Sequence, residues 1–216
     1  MPQPEYSYYD ERPTWGSDYL WPVVCDVIRS RRLSSNRAFE LGCGNGATSN
    51  MLTDFGFEMT AVDPSASGIA IAKKVFTRCT FSCASGYDDL SGRFGQFELV
   101  LCLEVLQHCS NPKMIAQTLF DLVEPGGIAV ISVTFHSYVK YLALALAGRL
   151  DGHLNALWET GPLKFFSVKT LRSLLLNVGF RRIEFRMAGR IPIFAKSMVA
   201  IAFKEDEELN KQMLAR

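Results

Sequence analysis

Three glycines separated by single residues, Gly42-Cys43-Gly44-Asn45-Gly46, follow the run Phe39-Glu40-Leu41, and an acid stands further on in Ala61-Val62-Asp63-Pro64. Glycine has no Cβ, so such a run lets the chain turn sharply from strand to helix and present backbone N–H groups close to a ligand. A carboxylate ending the next strand, about 20 residues on, suits the two hydroxyls of a ribose. The chemistry implied is that of a nucleoside-cofactor site. Gly42-x-Gly44-x-x-Ala47 also fits the dinucleotide form of this pattern, so glycine spacing alone does not name the nucleoside.

The acids discriminate. Glu40 immediately precedes the turn where a dinucleotide would set its pyrophosphate, and a carboxylate there repels two phosphate charges. S-adenosylmethionine carries no phosphate; it brings an α-ammonium, a sulfonium and a ribose diol. Carboxylates at the carboxyl ends of neighbouring strands suit all three, and the chain offers Glu40, Asp63, Asp88 and Glu104. Two other classes stay open: a nicotinamide-dependent oxidoreductase, in which Glu40 points away from the phosphates, and a non-catalytic cofactor-binding scaffold of the same fold.

Methyl transfer from a sulfonium needs a positioned nucleophile and, for an oxygen acceptor, a group to remove its proton. The chain has three histidines. His108 follows the fourth strand about one helical turn after Glu104, and His136 follows the fifth strand; these are the candidate bases, His136 slightly favoured because its loop opens toward the acceptor side. His153, with Tyr138 and Trp158, is a candidate for shaping the acceptor pocket. Six cysteines, Cys25, Cys43, Cys79, Cys83, Cys102 and Cys109, show no C-x-x-C spacing, which argues for buried free thiols rather than a zinc site.

The elements that must hold these residues alternate. Strand-like runs at 37–41, 58–62, 80–84, 97–103 and 128–133 are separated by helical patterns at 47–55, 66–76 and 113–123, as in a doubly wound α/β sheet with both faces covered. Residues 1–32 read as an aromatic-rich flap and a leading helix over 17–31. Glu124-Pro125-Gly126-Gly127 reads as the stop of a helix before the fifth strand. Residues 135–162 form an insertion with an apolar helix at 141–147, expected to pack over the sheet's carboxyl edge as a lid. A helix at 167–177 with Ser167 as N-cap, then a closing hairpin of 181–187 and 197–204, complete one domain over 1–216 with a charged, frayed tail at 205–216.

Composition agrees with a small-molecule acceptor. Lys plus Arg number 23 against 22 Asp plus Glu, so no charge excess points to nucleic acid. The insertion's apolar stretch is too short to span a bilayer. Met1 to Glu5 lack the basic and apolar regions of a secretory signal, and a cytoplasmic location is expected.

Together, Glu40 to Gly46, Val62-Asp63-Pro64-Ser65, Ser85-Gly86-Tyr87-Asp88-Asp89-Leu90, Phe97 to Val100 leading into Glu104-Val105-Leu106-Gln107-His108, the Pro-Gly turn and Lys164-Phe165-Phe166-Ser167 resemble the class I S-adenosylmethionine-dependent methyltransferases. More narrowly, the chain resembles a small-molecule branch that includes ubiquinone-biosynthesis O-methyltransferases and glycan-cluster methyltransferases. It implies a Rossmann-like seven-stranded sheet, mostly parallel with an antiparallel last strand. It also implies S-adenosyl-L-methionine held by Glu40, Gly42, Cys43 and Gly44 at the methionine end, Asp63 and Pro64 at the ribose, Tyr87 and Asp88 at the adenine, and Glu104 beside the methyl group. Relatives often carry Glu-x-x-Glu-His after the fourth strand, where the two acids and the histidine can hold a magnesium ion in some members. Gln107 replaces the second acid here, and a neutral amide is a poor ligand for a hard dication, so no metal is expected.

Overall fold

The computed structural model describes residues 6–14, 16–31, 33–152, 154 and 161–206. Its elements run α1 Ser17–Arg29, β1 Arg37–Leu41, α2 Ala47–Thr53, β2 Glu58–Asp63, α3 Ala66–Val75, β3 Thr80–Cys83, α4 Leu90–Phe94, β4 Phe97–Leu103, α5 Pro112–Leu122, β5 Val123–Thr134, α6 Tyr138–Leu146, α7 Val168–Asn177, β6 Arg182–Ala188 and β7 Ser197–Phe203. The seven strands form one sheet in the order β3-β2-β1-β4-β5-β7-β6. β1 to β5 pair in parallel, while β7 runs antiparallel to both β5 and β6. The order reverses between β1 and β4, and the crevice outside their carboxyl ends is where a sheet of this kind binds its ligand.

Side-chain alternation explains why both faces are covered. In β4, Leu99 and Leu101 join α1 residues Val24 and Val27 and α2 residue Leu52 on one face. Val100 and Cys102, one residue out of phase, join Leu119 of α5 and Leu171 and Leu175 of α7 on the other. All of these are at most 2% exposed, the signature of a central strand buried on two sides. Helix α7 starts with a capping box: the Ser167 hydroxyl accepts from the Thr170 N–H and the Thr170 hydroxyl from the Ser167 N–H.

Three expectations need correcting. Glu124-Pro125-Gly126-Gly127 does not stop a helix ahead of the strand; α5 ends at Leu122 and β5 already starts at Val123. The proline-glycine run is instead an irregularity inside β5, where the register with β4 jumps from Phe97↔Val123 to Leu99↔Ile128. Gly126 takes a left-handed φ of 85° there and donates to the Lys204 carbonyl at 3.0 Å. The apolar helix α6 exists, but no residue of it is buried; Leu142 and Leu146 are 61% and 82% exposed. The cysteines are all free, yet only Cys43 and Cys102 are buried, and Cys83 is exposed.

Leu101, fully buried in β4 beside Glu40 of β1, is a direct test of this frame. Leu101→Ala should cost about 2–5 kcal/mol, lowering the urea midpoint with an unchanged slope. A loss below about 1 kcal/mol would mean that β4 is not the packed centre of the sheet.

Candidate cofactor and catalytic site

The glycine turn is tied to the end of β2 rather than held only by its own geometry. Gly42 and Cys43 both donate to the Val62 carbonyl, at 2.8 and 3.1 Å, and Gly44 donates to Asp63 Oδ2 at 2.8 Å. Asp63 Oδ1 accepts from the Ser65 N–H at 2.8 Å. Gly42 and Gly44 sit at φ 82° and 53°, a region that a side chain disfavours, and a Cβ on Gly42 would drive into the Val105 side chain. A carboxylate has roughly four lone-pair directions, so accepting two backbone bonds does not by itself exhaust Asp63 as a ribose acceptor.

Beside this turn lies a small recess, lined among others by Trp21, Glu40, Gly42, Gly44, Thr48 and Glu104. Glu40, in β1, is 2% exposed, and its carboxylate accepts a short hydrogen bond from the Ser49 hydroxyl of α2. Burial pushes its pKa up to about 7; the Ser49 bond opposes that rise and the charge of Asp63 adds to it. Among the described residues, neither Glu40 nor Glu104 forms an ion pair. A recess with two acids and no cation between them fits the positive ammonium and sulfonium of S-adenosylmethionine.

Glu104 is held more elaborately. It follows β4 at φ 57°, the one described non-glycine residue at positive φ, a strain of order 1 kcal/mol. Ser132 Oγ donates to its Oε1 at 2.9 Å, while Gln107 Nε2 and Thr134 Oγ1 donate to Oε2 at 2.8 and 3.2 Å. Its own N–H donates to the Ser132 carbonyl at 3.0 Å. Burial raises its pKa, and these bonds, with one from Ser197, hold it down. Gln107 therefore occupies the place of a second acid by hydrogen-bonding the first.

The histidines separate. His108 hydrogen-bonds to the backbone of Gly161, and burial lowers its pKa. His136 hydrogen-bonds through Nδ1 to the Tyr141 hydroxyl of α6 and meets the edge of Phe165 with ring centroids 4.7 Å apart. Neither histidine lines the recess beside Glu40. Tyr138 begins α6 with its side chain 81% exposed. Tyr87 is exposed, its hydroxyl 3.2 Å from Ser110 Oγ and accepting from the Asn111 N–H at 3.2 Å, while Asp88 accepts from the Ser85 N–H at 2.8 Å. Cys43 is buried in the glycine turn and Pro64 exposed just after Asp63. His153 and Trp158 lie outside the described residues.

Ser49, Ser132, Thr134 and Tyr141 escaped the reading of the sequence. Ser132 and Thr134 leave one signal: two hydroxyls at alternate positions of an otherwise apolar strand, hence on one face. Ser49 and Tyr141 leave none, since each acquires meaning from a partner on another element or loop.

Comparison with known proteins agrees with this geometry. A family model described as a methyltransferase domain matches residues 23–184, and the chain belongs to that family. Among curated relatives, the ubiquinone biosynthesis O-methyltransferase of Azorhizobium caulinodans is 30% identical over 127 residues, covering 57% of this chain and 49% of the relative. That of Psychrobacter arcticus is 25% identical over 156 residues, covering 69% and 61%. The chain thus spans about half to three-fifths of the length of these relatives. The fold is shared with magnesium protoporphyrin IX methyltransferase from Synechocystis PCC 6803, solved with bound SAH, at TM-score 0.65 and 18% identity, covering 86% of this chain and 82% of that one. Human N-acetylserotonin methyltransferase in complex with SAM shares it at TM-score 0.60 and 19% identity, covering 79% and 48%. The family is thus that of the methyltransferase domain, and the fold is one whose solved members include proteins holding SAH or SAM.

Two measurements test the site. Glu40 in the free protein is half protonated near pH 7, and only its ionised form attracts an ammonium, so cofactor affinity must rise as pH rises through that value. S-adenosylhomocysteine should bind about tenfold more weakly at pH 6 than at pH 8, and Glu40→Gln should bind weakly with a flat profile. A wild-type affinity independent of pH would place the ammonium elsewhere. Asp63→Ala should weaken S-adenosylhomocysteine by roughly 10- to 100-fold by calorimetry. It should also lower stability by about 1–3 kcal/mol, because the Gly44 and Ser65 N–H groups lose their acceptor. Unchanged affinity would exclude this ribose placement.

Proposed function

We propose that this chain methylates an oxygen of a small-molecule acceptor, with a phenol favoured over a sugar or a lipid-linked intermediate, and that it does so in the cytoplasm. The observation that carries the reading is the pairing of His136 with Tyr141 and Phe165 in the loop after β5, where the sheet's carboxyl edge meets the lid. An aromatic acceptor suits a surface made by Phe165, Leu163 and Tyr141. The names of the curated relatives, ubiquinone biosynthesis O-methyltransferases, support the same acceptor chemistry.

The cofactor supplies an electrophilic methyl on an already activated leaving group. The protein's work is then orientation and proton removal. Glu40 and Glu104 draw the cofactor's cations into the recess, and Asp63 fixes the ribose, so that the methyl faces the β4 and β5 ends. Phe165 and Tyr141 position the acceptor ring, and His136 takes the hydroxyl proton as the acceptor oxygen attacks. Gln107 donates to Glu104 where a second acid would stand, and a neutral amide is a poor ligand for a hard dication, so the step runs without a bridging dication.

His136→Ala should lower kcat by roughly 10² to 10⁴ while S-adenosylhomocysteine affinity stays within a few-fold of wild type. The assay is single-turnover methylation of a panel of catechols, sugars and prenylated phenols. Wild-type kcat in the variant would remove His136 as the base, and turnover of sugars alone would remove the phenol. Activity should survive EDTA; loss on chelation with rescue by magnesium would overturn the metal-free reading.

A further inference from the structure

The ribose acid is already covered by the chain itself. Tyr8 lies across the seam where the glycine turn meets the first turn of α3. Its hydroxyl stands so close to Gly44 that a Cβ there would overlap it, and its ring edge lies 2.8 Å from where a Cβ on Gly68 would sit. The segment is fastened at both ends of this crossing. The Tyr8 N–H donates to Ser67 Oγ at 3.1 Å and Ser65 Oγ donates to the Tyr6 carbonyl at 2.6 Å. Further along, Asn45 Nδ2 donates to the carbonyls of Asp10 and Arg12, each at 2.8 Å. Burial first, then the neighbouring charge of Asp63, pushes the Tyr8 phenol far up, so it stays neutral.

The recess beside Glu40 stops short of the ribose end. It is lined by Glu40, Gly42, Gly44 and Glu104, the methionine end of the cleft, and by neither Asp63 nor Asp88. Asp63 itself is only 8% exposed. The recess thus reaches the methionine end of the cleft, while Asp63 is buried at the ribose end and the Tyr8 ring lies over the Gly44–Gly68 seam beside it.

We propose that Tyr6–Thr14 is a strap gating the cofactor cleft, and that Tyr8 must leave the Gly44–Gly68 seam before a ribose reaches Asp63. The fasteners, partly buried, each use one side chain and involve no strand pairing, so the strap opens without disturbing the sheet. A cleft competent to bind in only a fraction of molecules has its dissociation constant raised by the inverse of that fraction. Removing the closing ring must then tighten binding, the reverse of what removing a ligand contact does.

The reading rests on Asp63 as the nucleoside acid, so three variants of the full chain are compared by calorimetry and stopped-flow binding of S-adenosylhomocysteine. Tyr8→Ala should bind about 5- to 10-fold tighter, through faster association. Ser67→Ala, which only loosens the strap, should raise the association rate about twofold and serves if Tyr8→Ala does not fold. Asp63→Ala should lose affinity. If Asp63→Ala loses affinity while Tyr8→Ala binds more weakly with an unchanged association rate, Tyr8 is a cofactor contact and the gate is overturned. Unchanged rates in Tyr8→Ala and Ser67→Ala overturn it as well. Full affinity in Asp63→Ala removes the site reading itself, and the gate with it.

Discussion

The site depends on one carbonyl. The Val62 oxygen receives the N–H groups of both Gly42 and Cys43, and the next residue of β2, Asp63, receives that of Gly44. Three consecutive donors of the turn are thus satisfied by the end of the neighbouring strand, which fixes the exit of β1 against the exit of β2. Left-handed backbone at Gly42 and Gly44 is what allows the chain to present three N–H groups in one direction. Once those bonds are made, Glu40 and Asp63 must share one edge of the sheet, and a ligand that needs both has only one place to lie.

That edge stores unfavourable electrostatics. Glu40 is buried with a serine hydroxyl as partner, and Glu104 is partly buried among three hydroxyls and an amide in a strained backbone conformation. Carboxylates withdrawn from water without a cation destabilise a fold and have raised pKa values, as both do here. A cation entering the recess relieves that cost. The acids are held in fixed positions beforehand, so the relief is not spent on reorganisation. Gln107 belongs to the same design: its backbone carbonyl accepts from the Leu163 and Lys164 N–H groups while its side-chain amide donates to Glu104, coupling the segment before α7 to that acid.

What the sequence disclosed and what it hid divide along range of interaction. The glycine turn, the acid ending β2, the seven strands and the Ser167 cap are local patterns, governed by backbone sterics, period-two alternation and a hydroxyl three residues from its partner. Their bounds came out within a residue or two at most ends. The proline-glycine run of β5 misled, because a break in local hydrogen bonding marks a helix end or a bulge equally well, and pairing with β4 decides which. Gln107 carried a negative signal, the missing second acid, but its bond to Glu104 depends on how the 3₁₀ turn after β4 folds back. Ser49 against Glu40 and Tyr8 against Gly44 are likewise products of chain crossing, with partners on other elements or 36 residues apart. The exposure of α6 was hidden for a different reason: apolar composition predicts burial only when something is available to cover the face.

The central claim is that buried acids beside the glycine turn select a cationic, phosphate-free nucleoside. Parallel calorimetric titrations of the full chain with S-adenosylhomocysteine and with NADH test it most directly. The account predicts saturable binding of S-adenosylhomocysteine and no detectable heat from NADH at the same concentrations. Saturable binding of NADH, with S-adenosylhomocysteine silent, would contradict it, since Glu40 would then have to tolerate a pyrophosphate at the turn it precedes.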